Sequence, residues 1–275
     1  MSTDYPPPVD KLLNYGEAQR TSPENWPDYV ELGLGPEHIP ELIRMATDSE
    51  LNWAEGDSPQ VWAPLHAWRA LGQLRAEAAI EPLLSLFETL RDDEWAMEEL
   101  PDVFGVMGPV AIPALAAYLA DTSHEEFSLM TASSCLEKIA TMHPEARGEC
   151  VAVLMRQLER FDENEPGVNA FLIHDLVALK ALEAVPVIKR AFAAGSVDMS
   201  VMGDWDEVQV ELGLKSREEV PEKRFNFFPS SGVQPLPAGG DVFSQPSKSH
   251  RDYTGHKKAK SKMAKQSRKK NRKRK

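Results

Sequence analysis

The stretch Ala67-Trp68-Arg69-Ala70-Leu71-Gly72-Gln73-Leu74, followed at once by Ala79-Ile80-Glu81-Pro82-Leu83-Leu84, decides the fold. Its apolar residues recur three and four apart, which places them on one side of a helix. Pro82 stands in the opening turn of the second segment. There a missing N–H breaks no helical bond, and the fixed φ suits helix initiation. The stretch predicts a helical hairpin: a first helix, a tight turn, and a second helix running back.

Outward from this hairpin the second-helix signature returns as Ile39, Leu42, Ile43, Ala46, then Ile112, Leu115, Ala116, Leu119, then Val151, Leu154, Met155, Leu158. A fifth copy holds Val185, Ile188 and Phe192, with Lys189 at the fourth place. First apolar positions are 41, 32, 39 and 34 residues apart, the spacing of two-helix repeat units. First helices repeat too: Met97, Leu100, Phe104, Met107 match Leu129, Ala132, Leu136, Ile139, and shorter stripes run through Ala67, Leu71, Leu74 and Leu172, Leu176, Leu179. No pair can bury such a stripe alone. Stacking does so, at roughly 1.5–3 kcal/mol per large side chain. The expected fold is all-α: an α-solenoid of stacked antiparallel helix pairs.

These hairpins resemble HEAT repeats, in particular the short HEAT-like repeats named after phycobilisome lyases. The resemblance covers residues 36–200 and is best at 61–90, and as a whole the chain resembles cyanobacterial HEAT-repeat proteins. It implies an all-helical superhelix whose surface binds other macromolecules. It also implies an alternative role as a phycobilin lyase-like or phycobiliprotein chaperone-like protein. The family's short repeat carries Asp and Arg at fixed places in the first helix, forming a ladder between units. Here Arg69 alone fits, and the equivalent places hold Asp102, Ser134 and His174. The expectation is that the ladder is absent, which speaks against lyase activity.

Charge divides the chain. Residues 250–275 hold 13 Lys/Arg and one acidic residue, a net of +12 within a chain of net −12, so residues 1–249 carry −24. The bases are Arg251, Lys257, Lys258, Lys260, Lys262, Lys265, Arg268, Lys269, Lys270, Arg272, Lys273, Arg274 and Lys275. Such a run neutralises phosphates without reading base sequence, and Tyr253 is its one aromatic for stacking. The anionic partner is RNA or a ribosome; the alternatives are the chain's own acidic body or no specific role. Asn226–Lys248 is rich in Pro, Gly and Ser and reads as a linker. The expected organisation is an N-terminal arm over 1–25, a solenoid over 26–221, a flexible linker over 222–249 and a disordered basic tail over 250–275.

With 275 residues, 42% of them hydrophobic, the chain can bury a sizeable core. No run of 18 apolar residues exists, which excludes a membrane-spanning helix. The start, Met1 to Pro8, has neither basic nor apolar character, so a cytoplasmic location is expected. Cys135 and Cys150, both in predicted helices, read as buried thiols in a reducing compartment.

The chemistry-bearing residues form no catalytic constellation, no metal site and no cofactor site. His38, His66, His124, His143, His174, His250 and His256 show no metal-ligand spacing. Gly105 and Gly108 read as a helix end and turn rather than a phosphate loop. The acidic runs Asp92-Asp93-Glu94 and Asp162-Glu163-Asn164-Glu165 read as solvated inter-repeat loops. Of the tryptophans, Trp53 and Trp95 flank loops and are the expected exposed pair, candidates for protein binding. Lastly, Val30-Glu31-Leu32-Gly33-Leu34 recurs as Val210-Glu211-Leu212-Gly213-Leu214, with Gly33 and Gly213 predicted in the left-handed conformation. Function follows as a protein-interaction scaffold or assembly factor, with a partner on the solenoid surface.

Overall fold

The structure is a computed structural model that describes residues 4–54, 58–91 and 93–220. The linker and the basic tail predicted at 222–275 lie outside them. Two units divide the chain, residues 1–216 and 217–275. Of the second, only a 3-10 turn at Arg217–Glu219 falls among the described residues.

The first unit is all helical. Its helices are α1 (Ile39–Ala46), α2 (Ser49–Asn52), α3 (Ala63–Gln73), α4 (Ile80–Leu84), α5 (Leu86–Thr89), α6 (Glu94–Met107), α7 (Ile112–Ala120), α8 (Glu126–Met142), α9 (Arg147–Leu158), α10 (Pro166–Ala178), α11 (Val185–Ala194), α12 (Met199–Met202) and α13 (Trp205–Glu211). They form two layers. In the first-helix layer α3 packs on α6, α6 on α8 and α8 on α10, while α4, α7, α9 and α11 follow one another in the second. The apolar stripes line the space between: Leu71, Leu83, Phe104, Leu115, Leu136, Ile139, Leu154, Leu172 and Ile188 are fully buried. This is the predicted solenoid of stacked pairs.

The repeat is most regular in its backbone. Each second helix is preceded by a 3-10 turn whose third residue donates its N–H three residues back. These bonds are His38 to Gly35, Ala79 to Ala76, Ala111 to Gly108, Ala146 to His143 and Ala184 to Ala181, all 2.8–3.1 Å. Measured from these turns, second helices start at 39, 80, 112, 147 and 185. The fourth signature, read from Val151, is therefore one turn late. Arg147 occupies the apolar first position, and its guanidinium donates to the Leu179 carbonyl from both Nε and Nη2, at 3.1 and 2.9 Å.

The segments at 30–34 and 210–214 share a hydrogen-bond pattern. Leu34 N–H donates to Tyr29 and Gly33 to Val30; Leu214 donates to Gln209 and Gly213 to Val210. Both glycines have positive φ, +91° and +74°. The same pair of bonds closes α3 around Arg75 and α10 around Lys180, and these non-glycine residues take φ of 47° and 52°. Gly108 is a true turn position, with φ +89°. Gly105 is not: it lies inside α6, where an added Cβ would sit 3.0 Å from Lys138 Cβ on α8.

Arg75 is exposed and takes a conformation that costs an L-residue roughly 1–2 kcal/mol. Arg75→Gly removes that cost, offset in part by glycine's greater unfolded-state freedom. The expected outcome is a gain of about 0.5–1 kcal/mol in urea unfolding at neutral pH.

Candidate protein-interaction face

The first-helix layer carries a chain of polar side chains that links one unit to the next. Arg69 on α3 is 1% exposed and grips Glu99 on α6 with two bonds, Nε to Oε1 at 2.6 Å and Nη2 to Oε2 at 3.0 Å. Asp102 on α6 pairs with Lys138 on α8 at 2.9 Å. Ser133 on α8 donates to Asp175 on α10, and His174 Nδ1 lies 3.1 Å from the other Asp175 oxygen. Side-chain rungs between units are thus present, though not as the Asp and Arg ladder of the family pattern. They keep Arg69 and Asp102 but pair them with Glu99 and Lys138, residue types the family pattern does not name, and the third rung uses Ser133 and Asp175 in place of Ser134 and His174.

At its start this layer is covered by residues 4–35. Tyr5, Val9, Leu12, Ala18, Trp26, Tyr29 and Leu34 from that arm are buried. Between Gly16 and Pro27 the arm is held by its main chain. His66 Nε2 donates to the Gly16 carbonyl (3.0 Å), Arg69 Nη2 to Gln19 (2.9 Å) and Gln73 Nε2 to Pro27 (2.9 Å), while Tyr29 N–H donates to Gln73 Oε1 (3.0 Å). His66, Arg69 and Gln73 stand one and two turns apart on α3, so one stripe reads a string of carbonyls. Trp26 lies beneath the Arg69 guanidinium, 4.9 Å from ring centroid to Cζ. Nothing in the periodicity announced this arm, because it has none.

Electrostatics fix the tautomer of His66. A carbonyl only accepts, so Nε2 carries the hydrogen, and Nδ1 accepts from the Tyr29 hydroxyl at 2.6 Å. Burial drives the His66 pKa down to about 4. Burial also pushes the Glu99 carboxyl up, and the Arg69 guanidinium opposes it.

The Ser133, Asp175 and His174 group resembles a nucleophile array only in composition. The carboxylate stands between the other two, so the Ser133 proton goes to Asp175 rather than to an imidazole base. Burial raises Asp175, and the hydrogen bond that His174 donates to Asp175 raises His174. The group ties α8 to α10. Two further histidines have local duties: His124 stacks on Tyr118 with centroids 3.7 Å apart, and His143 Nε2 donates to the Gly105 carbonyl. Both cysteines are buried and free, with the Cys150 thiol pushed up by burial to about 11.

Of the two tryptophans expected at the surface, Trp53 is 60% exposed. Trp95 is not: Trp62 meets it edge-on at 4.9 Å, and Arg20 of the arm lies over its ring at 4.3 Å. Asp93, expected in a solvated loop, caps α6 by accepting from the Trp95 and Ala96 N–H groups. Asn164 and the fully buried Asn169 clamp the loop after α9, with Asn169 donating to the Phe161 and Ser196 carbonyls. That clamp could have been suspected only from two amides five apart.

Two layers of paired helices, joined unit to unit by side-chain rungs, define an all-helical HEAT-like repeat protein. Residues 67–89 match the family model of the PBS lyase HEAT-like repeat, the stretch around Arg69. No curated protein and no solved structure matches the chain. Among the described residues, no single helix is long and apolar enough to cross a membrane.

Glu99→Ala strands the buried Arg69 charge and is expected to cost about 3–5 kcal/mol. It should also loosen the arm, read as faster tryptic cleavage after Arg20. Replacing both partners by apolar residues should recover much of that stability. A second expectation concerns acid. With a folded pKa of about 4 against an ordinary 6.5, His66 binds its proton first in the unfolded chain. Its contribution is complete above about pH 6.5 and is lost as pH falls toward 4, up to about 3 kcal/mol. The difference in urea-unfolding free energy between the parent and His66→Gln should change by that amount across the window.

Proposed function

We propose that this chain is a non-enzymatic protein-interaction scaffold or assembly factor, and that its basic tail tethers it to RNA or another anionic polymer. One observation carries the scaffold reading. The apolar side of every hairpin is consumed by its neighbours, while the first-helix layer presents polar side chains that already hold a peptide backbone, at the carbonyls of Gly16, Gln19 and Pro27. The HEAT-like repeat at 67–89 supports the same role. Trp53 is an exposed aromatic available to a partner. The tail reading rests on the thirteen bases between Arg251 and Lys275, whose phosphate contacts would weaken steeply with salt. Two buried free thiols suit a reducing, cytoplasmic setting.

A second reading, a phycobilin lyase-like or chaperone-like protein acting on a phycobiliprotein, is favoured by the PBS lyase-type repeat match. Against it stands the family's Asp and Arg pattern, which Arg69 alone matches, the rungs here being Arg69–Glu99, Asp102–Lys138 and Ser133–Asp175.

Affinity purification of the tagged full chain, with and without nuclease, tests both parts. A protein partner retained after nuclease treatment and a second set lost with it are the expected result. Loss of every partner to nuclease overturns the scaffold role; a nuclease-insensitive set alone overturns the tether. A phycobiliprotein among the retained partners moves the assignment to the second reading.

A further inference from the structure

The layer that holds the arm continues beyond it, and one of its features recurs uncovered. α6 opens with Glu94-Trp95 and α8 with Glu126-Phe127. The buried stripes of the two helices align at the same 32-residue offset: Leu100 with Ala132, Phe104 with Leu136, Met107 with Ile139. Glu126 and Phe127 are therefore the counterparts of Glu94 and Trp95.

On α6 this feature is filled. The Arg20 guanidinium lies 4.3 Å above the Trp95 ring, pairs with Glu98, and has Nη2 4.0 Å from Glu94. An arginine is thus stacked on an aromatic face between two carboxylates. One unit on, Phe127 is 50% exposed. Among the described residues no cation pairs with Glu126 or Glu165. Met130 stands where α6 has Glu98, but Glu165 stands at the start of α10, whose Gly167 lies beside Glu126; burial first, and then the charges of Glu165 and Asp198, raise the Glu126 carboxyl above its ordinary range. The Glu126 carboxylate lies over Gly167: a Cβ added there would sit 2.0 Å from its Oε1 and 2.9 Å from Met130 Cε. Gly167 leaves the room in which that carboxylate lies.

We propose that Phe127, Glu126 and Glu165 receive an arginine side chain from an extended segment of a partner protein, one repeat beyond the place that Arg20 fills. Charge and continuity argue for this occupant. The repelling carboxylates call for a cation, and the neighbouring unit of the same layer shows the arrangement holding a guanidinium from the arm. A planar guanidinium stacks on a ring and bridges carboxylates in a way an ammonium does not. The inference deepens the scaffold reading by naming the chemistry of its partner.

The test uses the intact chain and a fluorescent acetylated pentapeptide of the arm sequence, Ala18 to Ser22, beside a twin in which citrulline replaces arginine. Citrulline keeps the planar shape and removes the charge. Anisotropy titration should show binding of the arginine peptide that Phe127→Ala and Glu126→Gln each weaken about three- to five-fold, the scale of an exposed cation–π contact. Unchanged thermal melts of both variants exclude misfolding. Equal binding of the citrulline peptide, or equal affinity for parent and variants, overturns the proposal. A carbodiimide cross-link from Glu126 or Glu165 to a lysine between Lys257 and Lys275 of the same chain also overturns it, by making the tail the occupant. Failure here while nuclease-resistant partners are still captured rejects this site alone and leaves the scaffold role standing.

Discussion

A hairpin in a stack has two apolar flanks and can cover neither by itself; everything else in this molecule answers that constraint. Interior units cover each other. At the first hairpin, residues 4–35 take the place that a neighbouring unit has elsewhere, burying Tyr5, Val9, Leu12, Trp26, Tyr29 and Leu34. Arg69 is where the solutions meet. Its guanidinium touches the arm through Gln19 and Trp26 and the following unit through Glu99, so cover, first helix and second unit share one buried charge. A buried ion pair is a weak source of net stability, because desolvation opposes the attraction. What it supplies is position: one guanidinium sets where Gln19 of the arm and Glu99 of the next unit meet α3.

Most of the fold was legible, and for a simple reason. Stripes at three- and four-residue spacing, with proline in the opening turn, depend on local geometry that every unit repeats. The misreading at Val151 shows the limit. Arg147 stands where apolar residues open the other second helices, and it is tolerated because the Leu179 carbonyl accepts twice from its head group. A pattern built on hydrophobicity cannot anticipate a cation that finds its partner 32 residues away.

The side-chain ladder and the arm were less legible because both depend on tertiary register. The family pattern directed attention to 69, 102, 134 and 174, yet the partners are 99, 138, 133 and 175, and adjacent helix positions point in different directions. Trp95 sits beside a loop and looks accessible, but its cover, Arg20, lies 75 positions earlier in a stretch without periodicity. Gly33 and Gly213, by contrast, were readable at once, since the turn they complete is closed by bonds to residues three to five positions back.

The bond between Arg20 and Glu98 spans 78 positions, and this has a bearing on synthesis. At about 5–20 residues per second, a ribosome needs roughly 4–16 seconds between delivering one and the other. For the first part of that interval, until α3 is made, the greasy side chains of the opening segment lack the helix they lie against, and Arg20 waits longer still for α6. The solenoid can grow forward from its earliest hairpin, but its leading cover must wait and fold backward onto helices made later.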